Sequence, residues 1–258
     1  MKTKKVLIVA TPRSGSSLIT ELCHEPPKSH IIFEPFHRRQ LIKLGHNLNI
    51  PEIKNRKEHP VQFLNYLFEQ HSSTNIVGAK TLVARAPSQE LNSKALKKML
   101  LCNDFNIIFI YRKNLFEAFI SRFVASRTQQ WFVTKNNNKP QLRKHFSINI
   151  NQAEFFMDRS AKIIKQCKQI LSHRPKYIET SYEKIVDENN NLIVSEINVL
   201  RKFVGLPEHK SYNPDLQKQT TENIYKLVSN KKDAERRFGY LYGYLGQRTV
   251  PAIWDEPC

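Results

Sequence analysis

Val6-Leu-Ile-Val-Ala10, Thr11-Pro-Arg-Ser-Gly-Ser-Ser17 and Leu18-Ile-Thr-Glu-Leu22 run on without a break. They read as an apolar stretch of strand length, a hydroxyl-rich turn with one Gly, and a helix start. A helix entered from a buried strand through such a turn presents successive backbone N–H groups and its positive dipole end, which together hold an anion. Ser14, Ser16 and Ser17 add hydroxyl donors to that cradle. The alternative is an ordinary Ser-rich strand-turn-helix corner.

Against the nucleotide-binding pattern G-x-x-x-x-G-K-[ST], Gly15 and Ser17 fall into place, but Ala10 replaces the first Gly and Ser16 replaces the Lys. The cation is displaced to Arg13. A phosphoryl donor also needs Mg²⁺ held by an Asp at a second strand end, and the later apolar run Ile107–Tyr111 ends instead in Arg112-Lys113. Sulfuryl carries less charge than phosphoryl, so a fixed guanidinium suffices to neutralise the bridging oxygen without a metal.

Asn106-Ile-Ile-Phe-Ile-Tyr-Arg-Lys-Asn114 delivers two cations to a strand's C-terminal end, where open parallel sheets bind ligands. Ser121 follows eight residues after Lys113 and nine after Arg112, within the next helical segment, so its hydroxyl can share an anion with them. A solvated basic strand end is the plainer reading of these residues taken alone.

Outward from these two stretches, short β-rich runs alternate with segments of helical period. The pattern predicts a three-layer α/β fold: a parallel sheet of the P-loop NTPase type with helices on both faces. Strands are expected at Lys5–Ala10, His30–Phe33, Asn75–Ala79, Asn106–Tyr111 and Lys176–Thr180. Helices are expected at Pro60–His71, Ser88–Cys102, Asn114–Trp131, Asn151–Ser172 and Asn191–Val204. The fourth opens on an Asn151/Glu154 capping-box spacing and the fifth closes at Gly205. Thr134–Gln141, with three consecutive Asn and a Pro, has loop composition. Residues 1–258 are expected to form a single domain.

The 41 Lys and Arg against 23 Asp and Glu give a formal charge of +18, which admits nucleic acid, anionic membrane or small acidic ligands as partners. No recognised nucleic-acid motif accompanies the charge, so no nucleic-acid partner is expected. No apolar run approaches the ~20 residues of a membrane span, leaving peripheral contact as the compatible membrane mode. Met1–Lys5 enters the first strand without a signal-peptide apolar region, and Cys23, Cys102, Cys167 and Cys258 form no CxxC pair. A cytoplasmic protein without a metal site is the expectation.

Thr11–Ser17 resembles the 5′-phosphosulfate loop of sulfotransferases that use 3′-phosphoadenosine 5′-phosphosulfate (PAPS), and Tyr111-Arg-Lys-Asn114 with Ser121 resembles their 3′-phosphate motif, in the same order and at a similar separation. Phe33-Glu-Pro-Phe36, Gly78-Ala-Lys80, Ser126–Trp131, Ser181–Val186 and Thr221–Asn230 add to a likeness that is greatest to bacterial carbohydrate and glycolipid sulfotransferases, including the trehalose-sulfating type. The resemblance implies PAPS as co-substrate, PAP as product, no metal, and a hydroxyl-bearing carbohydrate, glycolipid or other small acceptor. Many relatives have Arg where this chain has Lys113, so Arg112 and Lys113 both stand as 3′-phosphate ligands. A divergent P-loop kinase and a basic nucleic-acid binder are the competing readings.

Transfer to an alcohol needs a base for the hydroxyl proton and a cation at the donor's bridging oxygen. Glu34, just beyond the second strand, is the expected base, with His37 as the second candidate, and Arg13 is the expected cation. Lys80 stands near a strand end from which it reaches a sulfuryl group, or is simply solvated there. The resemblance further implies an adenine contact at Tyr182 and a donor-side position for Lys218. Trp131 with Phe132 offers an apolar wall to a sugar ring or lipid, though core packing is the commoner fate of such residues. The acceptor is expected to lie among the loops Phe36–Pro60 and Phe132–Ser147.

Overall fold

The computed structural model describes residues 3–83, 92–135, 145–217 and 227–238. In chain order the elements are β1 (Lys4–Ala10), α1 (Ser16–Cys23), β2 (Ser29–Phe33), α2 (Arg38–Lys43), α3 (Pro51–Lys54), α4 (Pro60–Glu69), β3 (Ile76–Leu82), α5 (Ser93–Leu101) and β4 (Asn106–Tyr111). There follow α6 (Leu115–Thr128), β5 (Val133–Thr134), α7 (Ile150–Leu171), β6 (Tyr177–Ser181), α8 (Tyr182–Ile185), α9 (Val194–Val204), β7 (Leu216–Gln217) and α10 (Lys231–Phe238).

Five strands form a parallel sheet in the order β2-β3-β1-β4-β6. β1 is central, and from Val6 to Ala10 no side chain is exposed, because alternate residues feed two cores. Leu7 and Val9 join Phe109, Phe116, Phe63 and Met157 on one face, while Val6, Ile8 and Ala10 join Ile19, Ile108 and Leu200 on the other. A strand buried on both sides must be apolar throughout, which is why this stretch was legible as a buried strand. Gly78 in β3 meets a steric need: a Cβ there would lie 2.7 Å from Ile31 Cδ1 and 2.8 Å from the Val6 carbonyl oxygen.

α1 packs on the face of Val6 and Ile8, whereas α6 packs on the face of Leu7 and Val9. The adjacent strands β1 and β4 thus send their following helices to opposite faces, and a crevice opens where their C-terminal ends lie level, Ala10 beside Ile110. Such a switch point is the general ligand position in open α/β sheets. The far end of α1 is fastened by the buried Arg201 of α9, which donates to the carbonyls of Leu22 and Pro207 and pairs with Glu25. Lys28 and Arg201 together hold the Glu25 carboxyl down at about 2.

Most boundaries agree with the expected elements to within a few residues, and β4 agrees at both ends. The long α7 differs at its start. It begins at Ile150, capped by Asn149 Oδ1, which accepts from Gln152 N at 3.0 Å; Glu154 pairs with Arg237 instead of completing a box with Asn151. β5 and β7 form a small antiparallel pair where the sequence suggested only a loop from Thr134. Residues 136–141 of that loop, and 88–91 of the expected Ser88–Cys102 helix, lie outside the described residues.

Three imidazoles gather beside the edge strand β2. His30 stacks on His71 at 3.8 Å between centroids and meets His24 edge-on at 5.1 Å, while His24 Nδ1 accepts from Ile31 N. Burial, then the neighbouring His71 and His24, lowers the His30 imidazole to about 4 from its ordinary 6.5. A native group that resists protonation leaves the unfolded chain to bind the proton first. The His30 contribution is therefore intact above pH 6.5 and is lost as pH falls toward 4. Thermal melts across that window are expected to show a steeper acid decline for the native chain than for His30→Phe, which retains the stack; parallel declines would contradict this.

Candidate active site

The loop between β1 and α1 is tied down at both sides. Thr11 N donates to the Ile110 carbonyl of β4 at 3.1 Å, and the fully buried Ser14 Oγ donates back to the Thr11 carbonyl at 2.7 Å. Arg13 has φ of +63° and Gly15 has φ of +79°, so the chain coils left-handedly twice within three residues before α1 begins at Ser16. Side-chain-bearing residues avoid that region, and Arg13 in it marks a backbone fixed by its surroundings. Gly15 is confined as well as coiled: a Cβ would sit 2.8 Å from Tyr182 Cδ2. The turn presents the first N–H groups of α1, which by helix geometry have no carbonyl within the helix to bond.

One cluster of polar side chains stands over the β1–β4 crevice. Arg13 Nε donates to Ser121 Oγ of α6 at 2.9 Å, and Arg13 Nη1 donates to the Trp131 carbonyl at 3.0 Å. Arg112, one residue past β4, is buried; its guanidinium lies 4.4 Å from the Tyr182 ring centre and pairs with Glu117 of α6. Its Nε is buried without a hydrogen-bond partner among the described residues. Burial, reinforced by repulsion from Arg112, lowers Arg13 to about 10, while Tyr182 acts in the opposite direction. Two guanidiniums this close, one with an unused buried donor, fit an anion of more than one charge.

The two neighbouring strand-end residues differ sharply. Lys113 has an exposed side chain, and its contribution here is its backbone N–H, which donates to both carboxylate oxygens of Glu183 at 3.0 Å. Asn114 N donates to the same carboxylate, and Asn114 Oδ1 caps α6 by accepting from Glu117 N.

A second cluster lies on the other side of the same loop. Lys80 is 1% exposed, with its Nζ 2.6 Å from Glu34 Oε1, 3.2 Å from Ser17 Oγ and 3.6 Å from the Phe33 ring centre. It lies inside β3, which runs on to Leu82, and not at a solvated strand terminus. Register explains the meeting: Phe33 of β2 pairs with Lys80 of β3, so Glu34 stands one step beyond its partner strand's lysine. Burial lowers the Lys80 ammonium, Glu34 pulls it back upward, and the charge of Arg13 adds to the lowering. Glu34 has φ of +47°, and its N–H donates to the Lys80 carbonyl. His37 N donates to the Glu34 carbonyl, and its Nδ1 is buried without a partner among the described residues.

The 11–17 loop thus brings Arg13, Ser121, Arg112 and Tyr182 together on one side and Ser17, Lys80 and Glu34 together on the other. Trp131 is 43% exposed, and Phe132 meets Phe33 edge-on at 5.5 Å, beside the lysine. Lys218 lies outside the described residues, as do 136–144 of the Phe132–Ser147 loop and 221–226 of the late motif. Glu117 and Glu183 were missed as site residues. Asn114 followed three residues later by Glu117 is a capping spacing that would have flagged the first; the second lies in the Ser181–Val186 motif, but only tertiary contact reveals its bond to the main chain at Lys113 and Asn114.

A family model described as "Sulfotransferase domain" matches residues 3–237. No curated protein sequence matches. Among similar solved structures is retinol dehydratase in a complex with retinol and PAP, at 13% identity and a TM-score of 0.45, covering 96% of this chain and 84% of that one. A sulfotransferase from Alicyclobacillus acidocaldarius has 11% identity and a TM-score of 0.46, with 91% and 96% covered. The sulfotransferase domain of the Synechococcus PCC 7002 olefin synthase has 15% identity and a TM-score of 0.41, with 98% and 91% covered. No described helix is long and apolar enough to cross a membrane.

Proposed function

The chain belongs to the sulfotransferase domain family, and from that premise we propose that it moves the sulfuryl group of PAPS directly to a hydroxyl of a carbohydrate or glycolipid, leaving PAP and a sulfate ester. The observation that carries this reading is the position of the 11–17 loop between two clusters, a doubly cationic one at Arg13 and Arg112 and an acid–cation pair at Glu34 and Lys80. A nucleotide with phosphate at both its 3′ and 5′ ends fits the first cluster and the helix start beside it. The unused Nε of Arg112 and the mutual repulsion of the two guanidiniums are both relieved by such an anion.

Arg112 and Ser121 hold the 3′-phosphate, and Tyr182 lines the nucleotide. Lys113 serves through its main chain. The loop N–H groups with Ser14, Gly15, Ser16 and Ser17 hold the 5′ end, and Arg13 neutralises charge on the leaving phosphate. PAPS supplies the electrophilic sulfur. Glu34 Oε accepts the proton of the acceptor hydroxyl while that oxygen bonds to sulfur and the bond from sulfur to the bridging oxygen breaks, its electron pair remaining on the phosphate. Lys80, 2.6 Å from Glu34 Oε1, holds that carboxylate in place and puts a positive charge at the sulfuryl oxygens. Proton removal by a positioned carboxylate is general-base catalysis and calls for no metal.

Incubation with [³⁵S]PAPS and a panel of sugars, glycolipids and simple alcohols is expected to yield labelled ester on a carbohydrate-bearing acceptor, without Mg²⁺. Mg²⁺-dependent ATP turnover with no transfer from PAPS would overturn the reading in favour of a kinase.

A further inference from the structure

We propose that the acceptor side of this protein docks on membranes containing anionic lipid, so that the acceptor is met at the bilayer interface. The inference rests on the proposed function only in naming Glu34–Lys80 as the acceptor side; the surface itself is independent of it. Among the described residues, seven large hydrophobic side chains are exposed, and four of them lie on the two chain segments that border that pair. Ile42 and Leu44 are 56% and 51% exposed and belong to α2 and its C-cap; α2 starts four residues after Glu34 and anchors inward through the fully buried Leu41. Trp131 and Phe132 are 43% and 40% exposed at the other border, where Phe132 touches Phe33 and the Trp131 carbonyl accepts from Arg13.

Charge on the same two segments has one sign. From residue 35 to 51, and again from 118 to 153, the chain has no Asp or Glu. Arg38, Arg39 and Lys43 are exposed on α2 near Ile42 and Leu44, and Arg127 stands exposed shortly before Trp131. Exposed aliphatic and indole groups set among cations are the chemistry of an interfacial surface: the apolar groups enter the acyl boundary, Trp favours the headgroup level, and the cations meet lipid phosphates. A soluble polyanion would use the cations and leave the four apolar groups in water. That difference decides for the membrane.

Co-sedimentation with vesicles of phosphatidylcholine alone and of about three parts phosphatidylcholine to one part phosphatidylglycerol tests this. Binding is expected to be at least about tenfold tighter to the anionic vesicles and to weaken with salt, since each cation near such a surface contributes about fivefold. The double variant Ile42→Asp, Leu44→Asp is expected to lose about tenfold or more of that binding, while PAP still raises its melting temperature. Equal binding to both vesicle types, no binding to either, or undiminished binding of the double variant would overturn the proposal. Binding of heparin in the absence of vesicle binding would do the same, pointing to a soluble anionic acceptor. If PAP raises neither melting temperature, the function reading fails; vesicle binding is read separately.

Discussion

Glu34→Gln is expected to lower the rate of sulfuryl transfer by about 10²–10⁴-fold, the usual span for loss of a general base, while PAP binding stays within about threefold of the native value. The separation follows from geometry. Glu34 follows β2 and pairs with Lys80 of β3, whereas Arg112 and Ser121 belong to the end of β4 and to α6, on the other side of β1 in the sheet. The variant carries a second consequence. Lys80 is 1% exposed and would be left buried without its carboxylate, an arrangement that typically costs about 3–5 kcal/mol; Glu34 is 13% exposed, so the lower end applies. Glu34→Gln is therefore also expected to melt lower than the native protein. Adding Lys80→Met removes the stranded ammonium and is expected to recover much of the melting temperature without restoring transfer. Near-normal transfer by Glu34→Gln would remove the base assignment and turn attention to His37, whose buried Nδ1 has no partner among the described residues.

Arg112→Ala is expected to be the second large effect, seen in nucleotide discrimination more than in overall fold. A buried guanidinium bonding a phosphate makes charge-assisted hydrogen bonds worth about 1.5–3 kcal/mol each, so its loss is expected to weaken PAP by about 10²-fold. AMP, without a 3′-phosphate, is expected to change by no more than about threefold. Lys113→Ala is expected to leave both nearly unchanged, because its side chain is exposed and its backbone N–H, bonded to Glu183, survives the substitution. Calorimetry on the two variants with the two nucleotides checks this. Equal losses for PAP and AMP in Arg112→Ala would assign the residue to general packing against Tyr182 instead.

The fold was legible wherever a residue pattern had one physical cause. β1 and β4 are continuous apolar runs because both their faces are covered, and their ends are abrupt because Thr11-Pro12 and Arg112-Lys113 change composition at once. β3 was placed too short because Lys80 and Thr81 look like a strand's polar exit, yet both are buried and the strand continues to Leu82. β5 and β7, two residues each, are too brief to show any period, and their pairing joins Val133 to Gln217 across 84 residues of sequence. α2 and α3 fall below two helical turns and carried no signal for the same reason.

The candidate site was legible as two motifs and illegible as one arrangement. Ser14, Gly15 and Ser17 can be read from spacing, since the backbone they shape is local. Arg13 meeting Ser121 cannot, because 108 residues separate them and only the switch between β1 and β4 brings them together. The pairing of Glu34 with Lys80 depends on register between β2 and β3, and a shift of one residue would turn Lys80 to the opposite face. Glu183, which fixes the main chain at Lys113 and Asn114, arrives from the neighbouring strand β6 through α8; it lies within the Ser181–Val186 motif, but nothing in the sequence tells of this contact.

We propose the loop at Arg13–Ser17 and the strand end at Arg112 as two halves of one site for a nucleotide phosphorylated at both ends. Titration calorimetry of the native protein with PAP and with AMP, at matched ionic strength and without Mg²⁺, distinguishes this from two unrelated anion sites. PAP is predicted to bind about 10²-fold more tightly than AMP. Equal affinity for the two nucleotides would contradict it.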